Sequence, residues 1–162
     1  PPPPPANISN IGLYYAQPLT EKNVKVKLSD VSVKDWKTVG MPAEAANAID
    51  GDPQTVWTAK ALTPLVVDMG KASEVIGFSY APAQKEDLTG TIYKYNFYVS
   101  IDGKNWTKCD ASGEFSNIMH NPVPYFVRFG KKYPARYFKL EPAAEINNKP
   151  ATTVGEVGIL LK

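Results

Sequence analysis

The chain has 162 residues, room for one ordinary domain and too little for two. With 43% hydrophobic and 21% charged residues it can bury a full core without disulfide or metal staples, and wholesale disorder is excluded. Lys and Arg number 18 against 16 Asp and Glu, a formal charge of +2, and the clustered basic footprint of a nucleic-acid binder is missing.

In chain order, residues 1–5 are an unbroken proline run without an initiator Met. Such a run favours polyproline II, a stiff spacer. Residues 1–10 are therefore expected to be a proline-rich linker from an upstream domain of the same chain, and residues 11–162 a single folded domain. Strand-like runs rich in Val, Ile, Tyr and Phe fall at 24–28, 65–68, 75–80, 93–101, 125–129, 136–141 and 154–161. In the fourth run Tyr93, Tyr95, Phe97, Val99 and Ile101 share one face, and Asp102-Gly103 predicts a tight hairpin turn before Trp106. Only residues 42–49, rich in Ala, read as helical, and 147–150 read as a loop. About eight short strands, with 11 Gly and 15 Pro for the turns, predict an all-β antiparallel sandwich.

No apolar run approaches the roughly 20 residues of a membrane helix, and the chain opens without a charged-then-apolar leader. Neither membrane insertion nor a nucleic-acid partner is expected, and monomer is the default state. The lone Cys109 has no partner for an internal disulfide or a Cys-x-x-Cys pair, and one His, His120, rules out multi-His metal sites. No Ser lies in a nucleophile elbow, and no phosphate-binding glycine loop precedes a helix. No catalytic residues are expected.

The chemistry concentrates between Asn47 and Trp57. There Asp50 and Asp52 flank Gly51 ahead of Thr55, a compact, oxygen-rich loop. Hard cations such as calcium take about 6–8 such oxygens. The glycine is misplaced for an EF-hand, and an Asx-rich turn with solvated carboxylates is the plainer reading.

The string Ala48-Ile49-Asp50-Gly51-Asp52-Pro53, with Thr55 and Trp57, resembles the discoidin domains, also called coagulation-factor-5/8 type C domains. Their bacterial relatives are the family-32 carbohydrate-binding modules. Further matching blocks follow in family order at 64–70, 76–82, 98–106 and 135–140, closing on Gly155-Glu156-Val157. The resemblance implies an eight-stranded antiparallel jelly-roll β-sandwich of the galactose-binding-like kind. It also implies one structural calcium, held by the Asn47 carbonyl, the Asp50 and Asp52 side chains, Thr55, the Gly155 carbonyl and the Glu156 carboxylate. Trp57 and Trp106 match scaffold positions expected in the core, and Arg136 a framework arginine.

Galactose-binding members commonly carry a His after the loop Trp and an Arg in a Pro-Arg-Gln segment, where this chain has Thr58 and Ala83. Both departures remove groups that grip sugar hydroxyls. Other candidates for a glycan site are Trp36, amid charged residues and able to stack on a pyranose if exposed, then Tyr80, Gln84, Lys85 and Glu86, and Asn117 and His120 in a second loop. The resemblance implies a non-catalytic carbohydrate-binding module of a larger bacterial protein, secreted, periplasmic or at the cell surface. Its parent would be a chitobiase-like hexosaminidase, a fucosidase or an enzyme-free glycan-binding protein. The competing expectation is a structural or protein-docking sandwich without a sugar site. A phospholipid-binding discoidin domain would normally carry paired cysteines, which a lone Cys109 cannot supply.

Overall fold

The computed structural model describes residues 33–52 and 54–162. The expected linker at 1–10 and the strand expected at 24–28 lie outside the described residues. Eight strands and one short helix follow along the rest: β1 Lys37–Thr38, a 3-10 helix Ala43–Ile49, β2 Trp57–Ala59, β3 Leu65–Ala81, β4 Ile92–Ser100, β5 Thr107–Lys108, β6 Tyr125–Glu145, β7 Thr152–Val154 and β8 Glu156–Leu161. Among the described residues every ladder between these strands is antiparallel. The expected sandwich is the observed architecture.

Two long strands organise it. The runs expected separately at 65–68 and 75–80 are halves of one strand, β3, and those at 125–129 and 136–141 are halves of β6. The two strands pair from Leu65↔Leu140 to Tyr80↔Tyr125, with register breaks between Asp68 and Ser73 and between Val75 and Gly77. Gly70, inside the first break, takes a φ of +85°, a region that side-chain-bearing residues rarely adopt. Such breaks bend a strand. The 65–68 and 137–140 halves join β4, β5 and β1, while the 77–80 half carries β8 on its free edge.

Alternating side chains fill the space between. Leu65, Val67 and Met69 of β3 are buried, as are Tyr95, Phe97 and Val99 of β4. Phe78 stacks on Phe97 with centroids 4.1 Å apart and meets Tyr95 edge-on at 5.3 Å, and Phe97 stacks on Phe138 at 5.7 Å. Such pairs contribute beyond their buried area. Ala45, Ala48 and Ile49 put one side of the 3-10 helix into the same core, beside Trp57.

The alternation fails at the end of β4. Ile101, expected to share a face with Tyr95, Phe97 and Val99, is 53% exposed, because the strand stops at Ser100. The expected tight Asp102-Gly103 turn is a longer loop over 101–106, and pairing resumes at Val99↔Thr107. Asp102 Oδ1 shapes it by accepting the Lys104 and Asn105 N–H groups, both at 2.8 Å.

Phe78→Ala is expected to cost about 4 kcal/mol through the cavity it leaves, lowering Tm by roughly 10 °C. Calorimetry checks this; a loss under 1 kcal/mol would mean that the Phe78–Phe97 stack does not hold the layers together.

Candidate functional site

Two neighbouring structures occupy the end of the sandwich where β3 stops. One is the loop between the 3-10 helix and β2. The helix closes at Asp50, and Gly51 turns the chain with a φ of +81°. Asn47 Nδ2 donates to the Val56 carbonyl at 3.1 Å, clamping the loop across its base. Inside it, Thr55 Oγ1 lies within hydrogen-bond reach of the Asp50 carboxylate, of the Asp52 carbonyl at 2.9 Å and of the Asn47 carbonyl at 3.2 Å. A hydroxyl has one proton to donate. At most one of these contacts is its hydrogen bond, so the rest set oxygen lone pairs against each other, an arrangement that a cation would relieve.

Glu156, at the start of β8, reaches this loop from 105 residues away, its Oε2 accepting the Gly51 N–H at 2.9 Å. Oε1 is buried without a partner. Burial, reinforced by the nearby Asp50 and Asp52 charges, pushes the Glu156 carboxyl up to about 8 against an ordinary 4.5. Gly155 makes the approach possible: its N–H donates to the Ala81 carbonyl at 2.8 Å, and a Cβ there would lie 2.8 Å from that same oxygen.

Among the described residues no three Asp, Glu, His or Cys side chains gather closely enough to hold a metal by themselves. The donor set is mixed: two carboxylates, a hydroxyl and carbonyls, the hard-oxygen chemistry suited to a cation like calcium. Asp52 differs from expectation. Its Oδ1 accepts the Gln54 N–H at 2.9 Å, and the atom meeting Thr55 is its carbonyl oxygen.

The second structure joins the β3–β4 loop to the segment before β6. Gln84 Nε2 donates to the Pro82 carbonyl at 3.0 Å and to the Pro122 carbonyl at 3.1 Å, tying the two loops together. Asn117, with a φ of 65°, accepts the His120 and Asn121 N–H groups on its carbonyl at 3.1 and 2.9 Å. The resulting turn is anchored by buried Ile118 and leaves Asn117, Met119 and His120 exposed. Gln84, Lys85 and Glu86 are exposed on the facing loop.

A buried carboxylate that the sequence did not single out holds this end together. Glu145, only 1% exposed, accepts the N–H groups of Gly90 (2.9 Å), Asn147 (2.6 Å) and Lys149 (2.9 Å). Glu145 lies beyond the strand-like run expected at 136–141, and local pattern says nothing about a partner 55 residues away.

The family model of the F5/8 type C domain matches residues 27–157. The chain belongs to the F5/8 type C family. A galactose oxidase of Gibberella zeae is 29% identical over 143 residues, 81% of this chain and 20% of that protein. A Bacteroides ovatus protein assigned as an alpha-L-fucosidase is 35% identical with a TM-score of 0.64, over 92% of this chain and 22% of that one. CpGH89CBM32-5 of Clostridium perfringens, solved in complex with GalNAc-beta-1,3-galactose, is 22% identical with a TM-score of 0.67, over 80% of this chain and 98% of that one. The chain spans about a fifth of the length of the curated relatives it matches.

This F5/8 type C domain corrects several sequence expectations. Tyr80 is fully buried: its hydroxyl donates to the Thr153 carbonyl at 2.7 Å and accepts the Ile92 N–H at 3.1 Å, so it braces β7 against β4 and meets no ligand. Trp36 is half-buried, its ring edge-on to Phe138 at 5.5 Å, and packs on the core instead of standing free. Trp106, expected in the core, lies on the outer sheet face, where the Lys139 ammonium sits 4.6 Å from its ring centroid and 4.8 Å from that of Tyr98. Trp57 is core, at 2% exposure. Arg136 grips Asp68 through two hydrogen bonds of 2.9 and 3.0 Å, a framework pair. Of the two family positions that changed, Ala83 is buried and Thr58 is exposed beside Thr153.

The raised Glu156 carboxyl gives a pH prediction for metal-free buffer. Its folded value lies above its unfolded one, so its contribution to stability is full below about 4.5 and is lost as pH climbs through about 8. Tm measured in chelator should therefore fall between pH 5 and 8, and Glu156→Gln should flatten that slope. An unchanged slope in the variant would assign the effect to another group.

Proposed function

We propose that the domain is a non-catalytic carbohydrate-binding module, and that the glycan lies across the loops joined by Gln84. The observation that carries this reading is that bridge. One amide ties the loop that carries exposed Gln84 and Glu86 to the segment that follows exposed Asn117 and His120, at one end of an F5/8 type C sandwich. Few, well-placed polar groups are what give a small-ligand site its discrimination. Exposed Met119 and Val123, 41% and 43% accessible, supply apolar surface for a sugar ring, since Trp36, Trp57 and Trp106 are all engaged elsewhere. A glycan array probed with the purified domain in millimolar calcium should show a coherent set of bound sugars. His120→Ala and Gln84→Ala should each weaken binding about tenfold. A blank array from folded protein would favour the protein-docking alternative.

Calcium is the cofactor that the oxygen loop fits. In this reading the Asn47 and Asp52 carbonyls, the Asp50 and Glu156 carboxylates and the Thr55 hydroxyl hold it, with the Gly155 carbonyl alongside. The ion supplies positive charge to carboxylates that otherwise repel, and so ties the loop to β8. Millimolar calcium is expected to raise Tm by several degrees, as binding to the folded state alone requires. Chelation should reverse the gain and Asp50→Ala should abolish it; an identical Tm with and without calcium would sink the assignment.

The module would belong to a larger bacterial glycan-processing protein that is secreted, periplasmic or displayed at the surface, joined to an upstream domain and monomeric by itself. Among the described residues no helix is long and apolar enough to cross a membrane. Tethering makes even weak binding useful by raising the local concentration of a partner domain near polymeric substrate.

A further inference from the structure

The oxygen loop and the Gln84 bridge are fastened to one short piece of backbone. Gly155 and Glu156 join β7 to β8. On one side, Trp57↔Val154 ties the residue before this junction to the strand that follows the oxygen loop. On the other side, Ala81↔Glu156 ties it to the end of β3.

That second rung sets the start of the β3–β4 loop. The β6 side of the ladder ends at Tyr80↔Tyr125, so among the described residues Ala81 is paired by β8 alone. The Gly155 N–H donates to the Ala81 carbonyl, and Gly155 packs so closely that a Cβ would also lie 3.0 Å from the Pro82 oxygen. The Pro82 carbonyl in turn accepts Gln84 Nε2, whose other bond reaches Pro122. An unbroken series of contacts thus runs from Gly51, through the Gly155–Glu156 junction, to Gln84 and Pro122. The bridge at its far end consists of two neutral hydrogen bonds made by an exposed side chain, each worth little unless Pro82 is held in place.

The member of this series under most strain is Glu156. Oε2 holds the Gly51 N–H, while Oε1 is buried without a partner. A dry, unpaired carboxylate oxygen is costly, and releasing the start of β8 to water removes that cost. The junction therefore has a closed state, with Glu156 on the loop, and an open one, with its carboxylate solvated and the Ala81 rung released. Glu156 and Gly155 can add their oxygens to those of the 47–55 loop only in the closed state, so a cation bound there favours closure.

We propose that the oxygen loop regulates the Gln84 site: with a cation held on it, the Ala81 rung closes and the Gln84 bridge forms, and without one both open together. The inference rests on the cation and module readings above, and on this backbone for the link between them. By linkage, a glycan that needs the bridge tightens cation binding by the same factor as the cation tightens the glycan's.

The test is 15N NMR of the whole chain, titrated with calcium in chelator-treated buffer without any sugar. The Gly51 and Gly155 amides, the Gln84 side-chain amide and the backbone amides of 118–121 should shift saturably with one shared midpoint. Exchange with water at the Gly155 N–H and the Gln84 side chain should slow about five- to tenfold, and the 101–106 loop, at the opposite end of β4 from Ile92, should not respond. Asp50→Ala, a change at an exposed position, should remove every response. Gln84→Ala should remove the response at 118–121 and leave those of Gly51 and Gly155. A response confined to Gly51 and Gly155 would overturn the link and keep the cation reading. So would a response at 118–121 that survives Gln84→Ala, since the coupling would then take another route. No response anywhere would overturn the cation reading and the proposal with it. Because no sugar enters the measurement, failure of the module reading shows separately, as a blank glycan array.

Discussion

The antiparallel ladder between β3 and β6 is the constraint on which the other features hang. Pairing runs from Leu65↔Leu140 to Tyr80↔Tyr125, so the two longest strands behave as one bent ribbon. The bend at Gly70 and the break before Gly77 turn that ribbon back on itself, which brings Phe78 of one half over Phe97 on the strand beside the other half. A flat ladder would leave both faces half-solvated. The bent one buries its apolar face against itself and leaves two ends, each with its own chemistry.

At the Ala81 end, two buried glutamates do opposite things. Glu145 is satisfied: three backbone N–H groups surround its carboxylate and fix the loops at 88–91 and 146–150. Buried carboxylates are tolerated when their oxygens are so paired. Glu156 has one N–H partner and one buried oxygen without any, next to two further acids. The same side chain builds a loop in the first case and in the second keeps an unsatisfied oxygen beside two acids. That contrast is what supports proposing a cation in the 47–55 loop and none around Glu145.

The sandwich also separates its aromatic and polar resources. Tyr80, Phe115 and Tyr95 form a stacked cluster beneath the Gln84 end, with centroid distances of 4.9 and 4.5 Å, so the rings there stiffen the platform from inside. The polar groups left exposed at that end are amide, imidazole and carboxyl groups. On the outer sheet face, Trp106 and Tyr98 enclose the Lys139 ammonium, an arrangement that spends two aromatic faces on one cation.

Much of this was legible in the residues themselves. The period-two runs located β3, β4, β6 and β8, because alternation follows from local backbone geometry and needs no knowledge of partners. The family blocks located the oxygen loop and Glu156, because donor chemistry is a property of the residue type. The tertiary structure decided which way side chains faced. It turned Tyr80 inward onto Thr153, set Trp36 against Phe138, moved Trp106 outside, and joined the paired runs into single bent strands. It also supplied Glu145. Those outcomes depend on register and bend across tens of residues, and a one-residue slip in register reverses every face. Local pattern determined the elements and the donors, and long-range pairing determined which of them meet.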